Sequence, residues 1–557
     1  MTRIFCGLLC ALLLATAAAA QQGESSAASF KSSVELVVVP AVVTRDGADV
    51  HGLKKNDFVL MRDGKAEQIA FFEEVDAVPA KVEKVSLPAN TVQNYASADG
   101  HQDVVILFLD FLNASWTTSA RIRSELSDIT KKLAATHTPV SVLLLTPKGL
   151  VQIHSFSSSG EELTKAVEMW TSGAARSSPA HDTALEWTNL LNATDVAESA
   201  AALRQYTGTM DFIERTRIDI SEMTVRAIEQ ISESFRGIPG RKKLIWLSTG
   251  FPTAPTTFFN GDRIQTEFLV AEKISRAWKS LGDANIAVYT VDSAAGGGGS
   301  NPAWNEHFSA AHGGRGSGFA SVGEIPANTL SLMAVSQRTG GRNCVSSLVD
   351  CVGKALDDGT HYYVLGFYLK GNIKPGWHPL KIEAQQPKLS VRSREGFIAI
   401  ADGDQAASKP KEKPAREDKR KLVERDVILT ALASPFDYTS VPLRLSWRKV
   451  DVSAGKTQLE FVLKSPPGGI SVRPEDSMMN IDCLAFVRPS GKVDGESFPV
   501  ELAMKLSPSQ ARNLATTGFV YRKQIPLTPG RYDLRVLVRD NITNKIGTVS
   551  TVVNFTP

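Results

Sequence analysis

The chain has 557 residues, of which 43% are hydrophobic and 22% charged, with a formal net charge of +3. These values suit large cores and exclude wholesale disorder, and a near-neutral balance gives no support to nucleic-acid binding, which needs a concentrated basic face. The length predicts about three or four domains.

Arg3 precedes an apolar segment from Ile4 to Leu14, and Ala15 to Ala20 supply small residues before Gln21. The pattern predicts a signal peptide over 1–20, cleaved after Ala20, and a secreted or periplasmic protein. A membrane anchor is the alternative, but the segment is short for spanning a bilayer. Cys10 follows Leu9, not the small residue that precedes a lipoprotein cysteine. No later segment approaches transmembrane length, so a soluble mature protein is expected. Export permits disulfides. Cys344 and Cys351, seven residues apart across a Ser-Ser turn, are the expected pair, with two buried free thiols as the alternative; Cys483 is left over.

Residues 21–33 are small and polar, a flexible lead-in. Val34 to Val43 is strand-forming, and Arg62-Asp63-Gly64-Lys65 between apolar runs signals a hairpin. Residues 34–75 therefore read as an N-terminal β unit with too few strands to stand alone. A connector follows over 76–102. The pattern then changes to alternating strands and helices over 103–360. Val104 to Leu109 form an unbroken apolar run ending in Asp110, which predicts a central parallel strand covered on both faces. Its carboxylate stands where open α/β sheets place their ligand crevice. Ile122, Leu126, Ile129 and Leu133 mark an amphipathic helix behind it. Val140–Thr146 and Leu150–Phe156 flank a tight turn and read as antiparallel neighbours. Leu244–Leu247, ending at Ser248-Thr249-Gly250, and Ile286–Val291, ending at Asp292, are further buried strands.

The glycine-rich stretch 295–318 has neither GxGxxG nor Walker spacing and reads as a surface loop. Strands over 361–400 are expected to complete the N-terminal β unit around the inserted α/β domain. Residues 401–421 read as a disordered linker. Residues 422–557 read as an immunoglobulin-like β-sandwich. The expected class is thus α/β: a Rossmann-like, mostly parallel sheet with helices on both faces, plus antiparallel β domains.

The LFLD strand, Asp182-Thr183-Ala184-Leu185, the LIWLSTGF strand end and Thr339-Gly340-Gly341 resemble the von Willebrand factor A domain. The stretch Val34–Ile398, with VVVPAVVTRDG, DFVLMRDGK, YYVLGFYLKG and VRSREGF, is similar to secreted bacterial proteins carrying a divergent, VWFA-related form of it. That resemblance implies a metal-ion-dependent adhesion site built by three loops, with an Asp-x-Ser-x-Ser first loop, a Thr from the second and an Asp from the third. Here Asp110 and Thr183 match. Leu112 and Ala114 occupy the serine positions, Asn113 and Ser115 lie one residue out of register, and Thr249 replaces the third-loop Asp. The implied metal set is therefore degenerate: Asp110, Asn113, Ser115, Thr183 and Thr249, with no cofactor required and magnesium as a weak cation at most. The alternative is Asp110 capping backbone groups of its own loop. No HExxH or GxSxG occurs, and the nine histidines are scattered. The function expected is non-enzymatic binding of an envelope or extracellular protein by loops 110–118, 180–184, 248–262 and 292–326. An exported hydrolase using the glycine-rich loop and a structural envelope protein are the alternatives.

Overall fold

The computed structural model describes residues 35–76, 78–79, 87–95, 102–114, 116–171, 200–250, 263–293, 327–369, 373–374, 376–399, 427–453, 456–473, 475–492 and 494–555. The leader 1–20, the loop 295–318 and the linker 401–421 lie outside them.

Two sheets face each other in the N-terminal β unit. One has the order Ser390–Ser393, Glu35–Arg45, His361–Leu369, Phe71–Asp76; the other runs Gly396–Ala399, Gly376–Ala384, Phe58–Arg62, Lys65–Glu67. Alternation along Glu35–Arg45 turns Val37, Val39, Ala41 and Val43 inward against Phe58, Leu60, Tyr363, Phe367 and Ile382. Each such side chain contributes about 1.5–3 kcal/mol on burial. Asp63 and Gly64 both have positive φ, 51° and 75°, which joins Phe58–Arg62 to Lys65–Glu67 by a two-residue turn. The strand shortage within 34–75 is met by His361–Leu369, which pairs antiparallel with Glu35–Arg45 from Glu35↔Leu369 to Ala41↔Tyr363.

Between these halves lies a seven-stranded mixed sheet, ordered Gly149–Ser157, Val140–Thr146, Gln102–Asp110, Lys242–Ser248, Ile286–Asp292, Asn343–Cys344, with Val78–Pro79 beside the start of Gln102–Asp110. Gln102–Asp110 is parallel to both Val140–Thr146 and Lys242–Ser248, and Gly149–Ser157 is antiparallel. One face packs Ile106, Phe108 and Trp246 on helices Ala200–Phe235 and Arg263–Asp283. The other packs Val105, Leu107 and Leu109 on Trp116–Ala134 and Leu348–Asp357. Burial on both faces is why this strand shows no polar alternation.

The C-terminal unit is again two sheets over one core: Phe519–Pro526, Lys456–Ser465, Arg444–Ser453, Thr91–Gln93 against Glu496–Lys505, Met478–Pro489, Gly530–Asp540, Lys545–Phe555. Residues 76–102, read as a connector, thus supply strands to two units, because Thr91–Gln93 pairs with Arg444–Ser446. Thr439 fastens this unit to the α/β region: its Oγ1 accepts from Gly237 N–H at 2.8 Å and donates to the Ser234 carbonyl at 2.7 Å. The approach is so close that a Cβ on Gly237 would sit 2.2 Å from the Thr439 carbonyl oxygen.

The expected fold class is corrected by this architecture. Among the described residues, four of the five sheets are antiparallel and the remaining one is mixed. The chain is therefore not a Rossmann-like, mostly parallel α/β protein. The continuous apolar runs that pointed to that class belong to a few strands of one sheet. The period-two segments on either side, which carry weaker signals per residue, build the other four sheets.

Candidate functional site

The parallel register decides what surrounds Asp110. Trp246 pairs with Phe108 and Leu247 with Leu109, so Ser248 comes level with Asp110 at the C-terminal edge of the sheet. The strand period places Trp246 and Ser248 on the same face as the carboxylate. Asp110 Oδ2 accepts from Ser248 Oγ at 2.7 Å, Asn113 Nδ2 at 2.8 Å and Trp246 Nε1 at 3.2 Å. Oδ1 accepts from Asn113 N–H at 3.1 Å. Asn113 Nδ2 also donates to Thr224 Oγ1 at 3.0 Å, whose own hydroxyl donates back to the Ile220 carbonyl at 2.8 Å. Thr249 Oγ1 donates to the Asn113 carbonyl at 2.6 Å, and Gly250 N–H donates to Ser248 Oγ at 3.1 Å. Loops from two strands and one helix are tied to a single carboxylate.

Asp110 is 0% exposed. Burial raises its pKa, opposed by the hydrogen bonds from Ser248, Asn113 and Trp246. The neighbouring strand end adds Asp292 and Ser293, also buried, with Ser293 N–H donating to the Ser248 carbonyl at 2.8 Å. Arg121 Nη1 reaches the Ser293 carbonyl at 3.3 Å.

Of the residues implied as a metal set, the structure brings Asp110, Asn113 and Thr249 together, through hydrogen bonds to one another or to each other's backbone. Ser115 and Thr183 lie outside the described residues. Leu112 and Ala114, at the two serine positions, are 2% and 0% exposed and pack in the cores. The three described members of this set do not by themselves fit a hard dication. Both Asp110 oxygens are committed to N–H and O–H donors, so a cation would displace bonds it cannot replace, and magnesium requires several oxygen ligands in near-octahedral array.

Sequence reasoning missed Trp246, Ser248 and Thr224 as partners of Asp110. Aligning the ends of LFLD and LIWLS in parallel register would have exposed the first two. Thr224 sits mid-helix and gives no local signal. At the opposite edge of the sheet, Arg241, Lys242 and Lys243 are buried at the start of Lys242–Ser248. Arg241 donates to the Tyr289 hydroxyl at 3.1 Å and the Gly340 carbonyl at 2.9 Å, and Lys243 to the Leu356 carbonyl at 2.7 Å, with Asp103 at 3.6 Å. Arg392, from the N-terminal β unit, reaches the same Gly340 carbonyl and Asp358. Arg392 thus ties the N-terminal β unit to the α/β region, and the Arg241 backbone N–H adds a bond to the Tyr362 hydroxyl at 3.2 Å. Cys344 and Cys351 are joined as a disulfide, and Cys483 is a buried free thiol.

No family model matches the sequence, and no curated protein matches it. Among solved structures, the chain is similar to the pilus adhesin SpaC from Lactobacillus rhamnosus GG in its open conformation, at 9% identity and a TM-score of 0.25. That match covers 91% of this chain and 57% of the adhesin, so the chain spans little more than half of that neighbour's length, and a likeness of this degree carries no argument about fold or function.

Proposed function

We propose that the chain is an exported, non-enzymatic binding protein that engages a protein partner through loops at the C-terminal edge of the mixed sheet. The observation that carries this reading is the Asp110 cluster. Its polar atoms sit where α/β sheets place ligands, yet they are spent on holding loops 110–114 and 248–250 in position. A general base needs an accessible carboxylate within reach of a substrate proton. Asp110 is fully buried and already accepts four hydrogen bonds. In this reading the Asp110 bonds hold the roots of the binding loops, and recognition does not call on a metal.

Export is supported by the leader-like pattern over 1–20 and by the Cys344–Cys351 bridge, since such bonds persist in oxidising compartments. Among the described residues no helix is long and apolar enough to cross a membrane. The reading follows the resemblance of Val34–Ile398 to secreted VWFA-related proteins in placing recognition at one sheet edge.

The test is capture from envelope extract by the full chain and by a variant whose residues 295–318 are replaced with a short Gly-Ser linker. The variant should unfold like the wild type and lose the captured protein. Equal capture by both would remove the sheet edge as the binding surface. Turnover on an esterase, peptidase or glycosidase panel would overturn the non-enzymatic reading.

A further inference from the structure

A second cluster lies far from the Asp110 edge, at one end of the N-terminal β unit. Strand Phe71–Asp76 pairs antiparallel with His361–Leu369, with His361 opposite Asp76 and Tyr363 opposite Glu74. Directly opposed residues project to the same side of a sheet, so two carboxylates, an imidazole and a phenol share one face. The segment after Ala48–Asp49 adds a second imidazole. Val50 accepts from Tyr363 Oη at 2.8 Å, Gly52 N–H donates to Glu74 Oε1 at 2.6 Å and Leu53 N–H donates to Tyr363 Oη at 3.1 Å. These bonds bracket His51 and set its ring centroid 3.9 Å from that of His361.

The resulting geometry is that of a loosely open metal site. His51 Nδ1 is 3.7 Å from Asp76 Oδ1, His361 Nε2 is 3.9 Å from the same oxygen, and one donor atom from each of the three lies within 4.8 Å of the others. Donors around a tetrahedral zinc ion stand about 3.3 Å apart, given metal–nitrogen bonds of about 2.0–2.1 Å, so small side-chain rotations close the set. His361 is 2% exposed and its Nδ1 is buried without a hydrogen-bond partner, whereas Nε2 is held by Glu74 at 3.1 Å. The ring nitrogen that faces Asp76 is Nε2, so an ion bound there would take the place of the His361–Glu74 hydrogen bond. The side chains of His51 and Asp76 are 60% and 73% exposed, so an ion can enter from solvent.

We propose that His51, Asp76 and His361 bind a first-row transition dication, zinc foremost, through Nε2 of His361, with Glu74 adding negative charge 3.1 Å from that nitrogen and the remaining coordination open to water or to a group on a partner. Two imidazoles and one carboxylate select zinc, copper or nickel over magnesium and calcium, which prefer all-oxygen shells. Thiols do not compete, because Cys344 and Cys351 are bonded to each other and Cys483 is buried.

Chelator-stripped full chain is titrated with zinc chloride by calorimetry, and with cobalt(II) for its visible absorption. One zinc per chain is expected, with a tetrahedral cobalt spectrum. His51→Ala, an exposed change that leaves the fold intact, should weaken zinc at least tenfold, and Asp76→Asn should do likewise. Glu74→Gln, which removes a negative charge beside the ion, should weaken it without altering the stoichiometry. Absence of zinc binding tighter than about 1 mM, or variants that titrate like the wild type, overturns the assignment.

Discussion

Replacing Asp110 with alanine should destabilise the mixed-sheet region by about 2–6 kcal/mol. The structure supplies the magnitude. The carboxylate is 0% exposed and accepts from Asn113 N–H, Asn113 Nδ2, Trp246 Nε1 and Ser248 Oγ. Alanine strands the Trp246 indole N–H and the Asn113 backbone N–H, each at about 1–3 kcal/mol for a buried unsatisfied donor. Asn113 Nδ2 keeps Thr224, and the Ser248 hydroxyl can rotate, so those two add little. Asp110→Asn should be milder, about 1–3 kcal/mol. Its amide oxygen can serve the crowded Oδ2 position, which leaves one donor–donor conflict at Asn113 N–H.

The two variants also separate the charge from the hydrogen bonds. Burial raises the Asp110 pKa in the folded protein, so the native state holds that proton more tightly than the unfolded chain. Its contribution is complete below the ordinary carboxylate pKa and is lost as pH rises through the raised value. The gap between wild type and Asp110→Asn should therefore narrow with rising pH. Hydrogen exchange of peptides spanning 102–110 and 242–248, followed over increasing urea, reads the local opening free energy without assuming that the whole chain unfolds in one step. A loss below about 1 kcal/mol for alanine would refute the hydrogen-bond reasoning, and a gap that widens with pH would refute the burial-raised pKa.

Magnesium, calcium or manganese should leave this local opening energy unchanged; a stabilisation abolished by Asp110→Ala would restore a cation to the site. Lys242 is fully buried with Nζ donating to the Ile238 and Gly240 carbonyls, and burial, with Arg236 nearby, lowers its pKa to about 7. Stability should therefore rise between about pH 7 and the ordinary lysine value of 10.5, by up to ~1.4 kcal/mol per unit. Lys242→Met should remove that slope, and urea midpoints across the range check it. Cys351→Ser, or reduction, should cost about 2–3 kcal/mol by releasing a short loop, seen as a lower midpoint that reductant no longer shifts in the variant. Thr439→Val should cost about 1–3 kcal/mol by leaving Gly237 N–H and the Ser234 carbonyl unpaired, with faster exchange at 233–239; unchanged exchange would dismiss that contact as a fastening.

Local patterning in the sequence determined much. The apolar run Val104–Leu109 is fully two-sided because that strand has helices on both faces. Asp63-Gly64 turns where positive φ is demanded, and a separation of seven residues lets Cys344 and Cys351 meet. Each is a short-range constraint written in adjacent residues. The fold class was misjudged because continuous apolar strands are conspicuous, whereas period-two strands that make up four antiparallel sheets are individually faint. Strand pairing over long separations is where local signals fail. Nothing near Thr91 announces that it will lie beside Ser446, and nothing near His51 announces His361. Ser248 and Trp246 reach Asp110 only because one parallel register, fixed by packing on both sheet faces, brings the two strand ends level. A shift of one residue would turn those side chains to the other face and leave the carboxylate buried without its donors.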